Sequence, residues 1–89
     1  MPYRVEIAPA AGRDLRRLPE PIRDRVEAAI RTLAEGPRPP GSKKITGRER
    51  SYRIRVGTLR VIYETFDDER LVVIARVLRR TETTYRRLR

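Results

Sequence analysis

Apolar residues in the first half of the chain recur with the spacing of a helix. One apolar stripe, at i, i+4, i+7, i+8 and i+11, is formed by Ile22, Val26, Ala29, Ile30 and Leu33. The stripe predicts a helix over residues 21–35, which Gly36 and the prolines behind it end. A shorter helix is predicted over residues 9–17, because Pro9 is tolerated in a first helical turn. Residues 3–7 alternate apolar and charged, which predicts a short strand.

The second half of the chain has the patterns of strands. Three strands are predicted, at residues 52–56, 59–66 and 71–78, and the last of them is an almost continuous apolar run. Gly57 and Thr58 suit a two-residue hairpin loop, with glycine at the positive-φ position of a type II′ turn. Residues 67–70, three acids followed by Arg70, are predicted to form a second turn. Residues 37–50 are predicted to be a loop, and residues 81–89 a short C-terminal helix.

The order of these elements is β-α-α-β-β-β with a short C-terminal element. It predicts the α+β class: two helices packed on one face of a mostly antiparallel four-stranded sheet, in a single domain over residues 1–89. No apolar run approaches the roughly 20 residues that span a bilayer, and the N-terminus has no apolar signal region. We therefore expect a soluble, cytoplasmic protein without a membrane partner.

The composition excludes several kinds of chemistry. The chain of 89 residues has no Cys and no His. Disulfides, a thiolate nucleophile, a Cys-based zinc site and an imidazole base are therefore excluded. The three adjacent acids at residues 67–69 lie on a tight turn and do not converge on one ion, so we expect no metal and no cofactor. Any catalysis has to use Lys, Arg, Tyr, Asp, Glu, Ser or Thr.

Positive charge is concentrated in the second half of the chain. The net charge is +10, and residues 41–89 carry fourteen basic residues against six acidic ones. A one-sided basic surface implies an anionic partner, which can be a nucleic acid, an acidic protein or, less readily, a membrane surface. All basic residues except Lys43 and Lys44 are Arg. This preference for Arg over Lys has an alternative explanation to function, because a GC-rich genome or a hot habitat also favours Arg.

The hairpin collects arginines on one of its faces. A two-residue loop pairs Arg55 with Arg60, and strand alternation puts Arg53 on the same face. The opposite, core face receives Tyr52, Ile54, Val56, Leu59, Val61 and Tyr63. Two arginines across a ladder repel each other, which makes sense if this face binds a polyanion and stays open to solvent. The alternative is an ordinary solvated strand face, but no acid alternates with these arginines until Glu64.

Short motifs also follow one another in a characteristic order. They are Tyr3-Arg4-Val5, Asp14-Leu15-Arg16-Arg17-Leu18-Pro19, Lys44-Ile45-Thr46-Gly47, Tyr52-Arg53-Ile54-Arg55-Val56-Gly57, Leu59-Arg60-Val61-Ile62-Tyr63, Arg79-Arg80 and Tyr85-Arg86. In this order and at this length, the chain resembles the RelE/ParE toxin superfamily of bacterial toxin–antitoxin systems, and more closely its RelE branch. The resemblance covers nearly the whole chain.

The resemblance implies a function. It implies the toxin of a type II toxin–antitoxin module, a metal-independent endoribonuclease that cleaves mRNA in the ribosomal A site. Cleavage proceeds by attack of the RNA 2′-hydroxyl on the adjacent phosphate. The implied partners are the ribosome, mRNA and a cognate antitoxin in a hetero-oligomer. Two alternatives stay open: a ParE-like inhibitor of DNA gyrase without RNase activity, and a catalytically decayed toxin that only binds its antitoxin.

The resemblance also implies site residues. Arg60 and Arg80 match arginines that stabilise the phosphate, and Tyr85 matches a tyrosine that stacks on a base. Arg53 and Arg55 match basic positions that are Lys in well-studied cleaving members, where one Lys is a candidate general base. Arg is a poor base, which leaves positioning, electrostatic stabilisation and proton transfer through Tyr85. Further RNA contacts are expected from Lys43, Lys44, Arg48, Arg79 and Arg86, although for the two lysines a solvated loop is the alternative.

Overall fold

The computed structural model describes residues 2–79. The elements are β1 (Arg4–Ile7), α1 (Pro9–Arg16), α2 (Glu20–Glu35), β2 (Lys43–Lys44), β3 (Ser51–Val56), β4 (Leu59–Phe66) and β5 (Leu71–Arg79), with a 3-10 turn at Asp67–Glu69. Within these residues, each predicted helix and strand begins and ends within one residue of an observed element. The predicted C-terminal helix at residues 81–89 lies outside the described residues.

Within residues 2–79, one sheet contains five strands in the order β1-β5-β4-β3-β2. β1 runs parallel to β5, and the other neighbouring pairs are antiparallel. The predicted α+β class with a mostly antiparallel sheet is confirmed. The predicted four strands become five, because the two residues of β2 pair with β3 inside the segment expected to be a loop. Two residues are too few to show an alternating pattern in the sequence.

Both helices cover one face of this sheet, and the core lies between the two layers. The helices contribute Ala11, Leu15, Val26, Ile30 and Leu33 to the core, and the strands contribute Ile54, Leu59, Val61, Tyr63, Val72, Ile74 and Val77. Ile22, the first residue of the predicted stripe, is instead exposed in the first turn of α2. No helix among the described residues is long and apolar enough to cross a membrane.

The hairpin between β3 and β4 has the predicted register. Val56 pairs with Leu59 and Arg55 with Arg60, across the two-residue loop. Gly57 has a φ of +60°, whereas the following Thr58 does not have a positive φ. This is the φ pattern of a type II′ turn, which matches the twist of the two strands. The loop therefore determines which side chains share a face.

β5 contains a bulge. Tyr63 of β4 pairs with Ile74, but the preceding residue, Ile62, pairs with Arg76, so Ala75 is an extra residue. An extra residue reverses the alternation of the side chains that follow it. Val77 therefore faces the core, and Arg76 shares the opposite face with Ile62.

Candidate functional site

The face of the sheet opposite the helices carries cations in adjacent cross-strand rows. One row consists of Lys43, Arg53, Ile62 and Arg76, and the next of Arg55, Arg60 and Leu78. Directly opposed residues of a sheet have Cβ atoms only about 4.5–5.5 Å apart. We call this surface, defined by Lys43, Arg53, Arg55, Arg60 and Arg76, the basic face.

Two arginines of the basic face are buried. Arg53 is 8% exposed and Arg60 is 7% exposed, whereas Arg55 is exposed. The expectation of a fully open, solvated face is therefore wrong for Arg53 and Arg60. Both lie in the interior of the sheet, where each strand has a neighbour on either side. Because a guanidinium there has lost much of its water, its attraction for an anion is screened less than at an open surface.

A cavity of about 270 Å³ lies at the β2 end of the basic face. Its lining includes Pro40, Gly41, Lys43, Arg53 and Arg55. Three of these five residues are cations, and they come from two different strands. The cavity therefore suits an anionic group that accepts several hydrogen bonds, such as a phosphate.

A second cavity, of about 220 Å³, lies on the same side of the sheet. It is lined by Ile45, Arg48, Ser51, Ile62, Glu64, Ala75 and Arg76. Glu64, which stands opposite Ser51 in the sheet, brings an acid to the margin of the basic face. The cations thus concentrate in the part of the face near Arg53, Arg55 and Arg60.

The other residues predicted for the site have different positions. Lys44 pairs with Tyr52, and Arg79 pairs with Leu59. Lys44 and Arg79 therefore share the helix side of the sheet with these core residues, although both cations are exposed. Arg48 is exposed in the turn after β2, where its backbone N–H donates to the carbonyl oxygen of Ile45 over 3.2 Å. Arg80, Tyr85 and Arg86 lie outside the described residues. The structure thus brings together Lys43, Arg53, Arg55 and Arg60, whereas Arg48 lines the second cavity with Ile62 and Arg76.

The segment that leads into β2 is held in place by buried and aromatic contacts. The hydroxyl of the fully buried Tyr63 donates to the carbonyl oxygen of Pro37 over 2.6 Å. The guanidinium of Arg38 lies 5.7 Å from the ring centroid of Tyr52. Burial raises the pKa of Tyr63, so this hydroxyl keeps its proton and remains a donor. These contacts fix the chain just before Lys43.

The acidic turn has a structural role at the same end of the sheet. Asp67 accepts hydrogen bonds from the Tyr3 hydroxyl over 2.8 Å and from Arg38 over 3.3 Å. Hydrogen bonding from Tyr3, and then from Arg38, lowers the pKa of Asp67. Among the described residues, no group of three or more Asp, Glu, His or Cys side chains is arranged to hold a metal ion.

Asp14 and Arg76 form a contact that the sequence analysis missed. Arg76 donates from Nε to Oδ2 of Asp14 over 2.8 Å and from a terminal nitrogen to Oδ1 over 3.2 Å. The backbone N–H of Val77 donates to the same Oδ2 over 2.9 Å. The only sign of this contact in the sequence was Arg76 itself, a charged residue within the apolar run at residues 71–78. Nothing in one sequence joins it to an acid 62 positions earlier.

Comparisons with known proteins agree with this architecture. Residues 5–84 match the family model described as "ParE toxin of type II toxin-antitoxin system, parDE". A protein of Methanocaldococcus jannaschii named "Putative toxin RelE1" is 32% identical over 83 residues, which cover 90% of this chain and 92% of that protein.

Two solved toxin–antitoxin complexes have the same fold. The RelBE2 complex of Mycobacterium tuberculosis matches with a TM-score of 0.78 and 34% identity, over 90% of this chain and 100% of that one. The RelE–RelB complex of Pyrococcus horikoshii matches with a TM-score of 0.81 and 28% identity, over 92% of this chain and 99% of that one. The resemblance seen in the motifs is confirmed: the chain belongs to the RelE/ParE superfamily, the toxins of type II toxin–antitoxin modules.

Proposed function

We propose that this toxin belongs to a RelBE-type module and cleaves mRNA in the ribosomal A site. The observation that carries the proposal is the basic face, where Lys43, Arg53, Arg55 and Arg60 stand in adjacent rows of one sheet surface. The relatives named above as RelE proteins support the same branch of the family. A sheet surface with this charge suits the phosphate backbone of RNA.

The proposed reaction needs charge stabilisation more than it needs a metal or an imidazole. The 2′-oxygen of a ribose forms a bond to the adjacent phosphorus, and the bond from that phosphorus to the 5′-oxygen breaks. Negative charge builds up on the phosphoryl oxygens between these two events. Arg60 is buried beside Arg55, and we assign it to this charge, because preorganised donors in a site with little water stabilise it most.

The proton of the 2′-hydroxyl is the part of the reaction that departs from the family pattern. Arg53 and Arg55 occupy the positions where cleaving members carry Lys, and a guanidinium does not accept protons at neutral pH. We propose that these two arginines hold the RNA backbone in position for in-line attack. The proton of the 2′-hydroxyl then passes through Tyr85 or water and ends on the departing 5′-oxygen, and Arg80 assists Arg60. The roles of Arg80 and Tyr85 are sequence-based predictions.

The remaining proposed RNA contacts come from the margins of the sheet. We assign phosphate contacts to Lys43 and Arg48, which line the two cavities of this surface. Lys44, Arg79 and Arg86 are proposed to contact RNA or the ribosome from outside this surface. The module's antitoxin is proposed to bind through an acidic and apolar segment that covers the basic face or competes with the Tyr85 element.

A reconstituted translation reaction tests the proposal. The toxin is incubated with a defined mRNA, either in the presence of translating ribosomes or without ribosomes, and new RNA ends are mapped by primer extension. We expect cuts at A-site codons that require ribosomes and that fall about 100- to 1,000-fold in rate in Arg60→Ala. Arg31→Ala is the matched control, because Arg31 is exposed on α2 in the helix layer. Equal cleavage by the parent and Arg60→Ala would contradict the assignment of Arg60.

A gyrase inhibitor is the second candidate. The family model that matches residues 5–84 is that of ParE toxins, and Arg replaces Lys at two positions of the RelE pattern. If the parent makes no cuts, a supercoiling assay with DNA gyrase decides between the alternatives. Inhibited supercoiling would establish the ParE-like function. An uninhibited enzyme, together with binding to the antitoxin, would indicate a decayed toxin.

A further inference from the structure

Asp14 stands at a place where the sheet lacks a strand. β1 ends at Ile7, and the last backbone bond at this edge runs from the N–H of Ala8 to the carbonyl oxygen of Ile74, over 2.9 Å. Further along β5, the N–H of Val77 donates to Oδ2 of Asp14. A side-chain carboxylate from α1 therefore replaces the carbonyl group that a longer β1 would have supplied.

The same carboxylate holds the neighbouring residue of β5. Arg76 donates two hydrogen bonds to Asp14. The carboxylate thus accepts hydrogen bonds from two consecutive residues, Arg76 and Val77, immediately after the extra residue Ala75. The Asp14 side chain is only 10% exposed, so water competes little for its oxygens. Charge-assisted bonds in a partly buried place are among the strongest that a protein makes. Asp14 thus clamps the bulge.

The bulge determines what stands beside Arg60. With the extra residue in place, Leu78 pairs with Arg60 and Val77 pairs with Val61 in the core. A slip by one residue would put Val77 beside Arg60 and turn Arg76 toward the core. The position of the buried Arg60 side chain therefore depends on the register of the last residues of β5.

We propose that Asp14 is a positioning residue for RNA cleavage, which acts on Arg60 through the register of β5. The proposal rests on the proposed function, because it assigns Asp14 to the same reaction. Asp14 itself lies in the helix layer and touches no residue of the reaction. An error of about an ångström in a distant support can slow an enzymatic step about 100-fold.

A series of substitutions at Asp14 tests this in the ribosomal cleavage assay, with the full chain. Asp14→Ala removes the acceptor for Val77 N–H, and we expect kcat to fall about 10- to 100-fold. KM should change less than kcat, because Lys43, Arg53, Arg55 and Arg60, the cations of the basic face assigned to RNA, are unchanged. Asp14→Asn keeps an oxygen for Val77 N–H and should retain most of kcat. Asp24→Ala, at an exposed acid of α2, is the matched control and should behave as the parent.

Amide hydrogen exchange followed by NMR reports the register independently of activity. The Val77 amide should exchange slowly in the parent and in Asp14→Asn, and quickly in Asp14→Ala. The cross-strand NMR contact between Arg60 and Leu78 should be kept in the parent and in Asp14→Asn, and should weaken in Asp14→Ala. Intermediate variants, Asp14→Glu and Asp14→Ser, extend the series, so that the test survives if Asp14→Ala does not fold.

The outcomes separate this inference from the function on which it rests. A fall of kcat in step with the loss of Val77 protection supports the proposal. A parent-like kcat in a variant whose Val77 amide exchanges quickly would overturn it, as would a loss of kcat with Val77 fully protected. A parent that makes no cuts contradicts the proposed function, and with it the role of Asp14 in cleavage. The exchange data then show separately whether Asp14 holds the register.

Discussion

The two faces of the sheet are built from alternate residues of the same strands, yet burial has opposite consequences on them. On the helix side, Ile54 and Val61 are 7% and 0% exposed; on the other side, Arg53 and Arg60 are 8% and 7% exposed. Removing apolar surface from water stabilises a fold by about 25 cal/mol per Å². Removing a guanidinium from water costs free energy unless polar groups compensate for it.

The difference separates stability from function. The helix side supplies the favourable free energy of packing, and the basic face carries a cost in free energy that the proposed anionic partner would relieve. Arg55 directly opposite Arg60 shows this cost most clearly, because like charges at paired positions destabilise a sheet. Substitutions on the helix side should therefore change mainly the free energy of unfolding, and substitutions on the basic face mainly activity and its salt dependence.

The largest effect on stability is expected from the helix side. Leu33 is completely buried in α2, so Leu33→Ala leaves a cavity in the core. We expect the free energy of unfolding to fall by about 2–5 kcal/mol, measured by urea denaturation. Arg31→Ala, on the exposed part of the same helix, should change it by less than about 0.5 kcal/mol. Similar losses for the two variants would contradict the assignment of the core.

The next effect concerns the clamp between the helix layer and β5. Partial burial raises the pKa of Asp14, but hydrogen bonds from Arg76 and Val77 outweigh this and lower it below 3.8. A lowered pKa in the folded state contributes stability above the unfolded value, which is lost as the pH falls through the folded value. Hydrogen bonds to charged groups contribute about 1.5–3 kcal/mol, so we expect Asp14→Asn to lower the free energy of unfolding at pH 7 by about this amount.

The measurement for this clamp is the free energy of unfolding as a function of pH. The difference between the parent and Asp14→Asn should shrink in acid, as the pH falls through the lowered pKa of Asp14 and its carboxylate becomes protonated. Asp24→Asn, at an exposed carboxyl group, serves as the control. A difference that stayed constant from pH 7 to pH 2 would show that the charge of Asp14 does not contribute.

A smaller effect is expected at the turn that sets the two faces. Gly57 has a positive φ, where a Cβ atom is unfavourable by about 1–2 kcal/mol. An added Cβ would come no closer than 3.8 Å to the guanidinium of Arg25, so the cost of Gly57→Ala is conformational. Gly36→Ala is the matched control, because Gly36 has extended backbone and open space. Thermal unfolding should separate the two variants, and equal Tm values would contradict the type II′ turn.

The smallest effect is expected on the basic face. Arg55→Gln removes one charge of the Arg55–Arg60 pair, and we expect the free energy of unfolding to rise by about 0.2–1 kcal/mol at low salt. The gain should shrink with added NaCl, because Arg55 is exposed and salt screens its repulsion of Arg60. Urea denaturation at several salt concentrations measures this. A loss of stability that is independent of salt would show that repulsion does not dominate at this pair.

Local sequence signals predicted the parts of the fold that depend on neighbouring residues. Gly57 and Thr58 between two alternating segments predicted the hairpin, its register and the common face of Arg53, Arg55 and Arg60. The same signals could not predict β2, whose two lysines become a strand only because β3 lies beside them.

Long-range contacts were outside the reach of those signals. The run at residues 71–78 indicated a strand, but it gave no sign of the bulge or of the distant Asp14 carboxylate that accepts a hydrogen bond just after it. Ile22 continues the apolar stripe of α2, yet the core does not reach the first turn of the helix. In both cases the outcome depends on how elements pack, which a single periodicity does not record.

The chain thus carries in its own pattern the α+β class, the hairpin register and the family, because alternation, helical spacing and turn chemistry act between residues close in sequence. Only the tertiary structure determined three further features: the burial of Arg53 and Arg60, the fifth strand, and the hydrogen bonds that Arg76 and Val77 both donate to Asp14. These features arise between groups that come together only after the helices and strands have assembled. Desolvation and hydrogen bonding act on that assembled geometry, so their result becomes visible only in three dimensions.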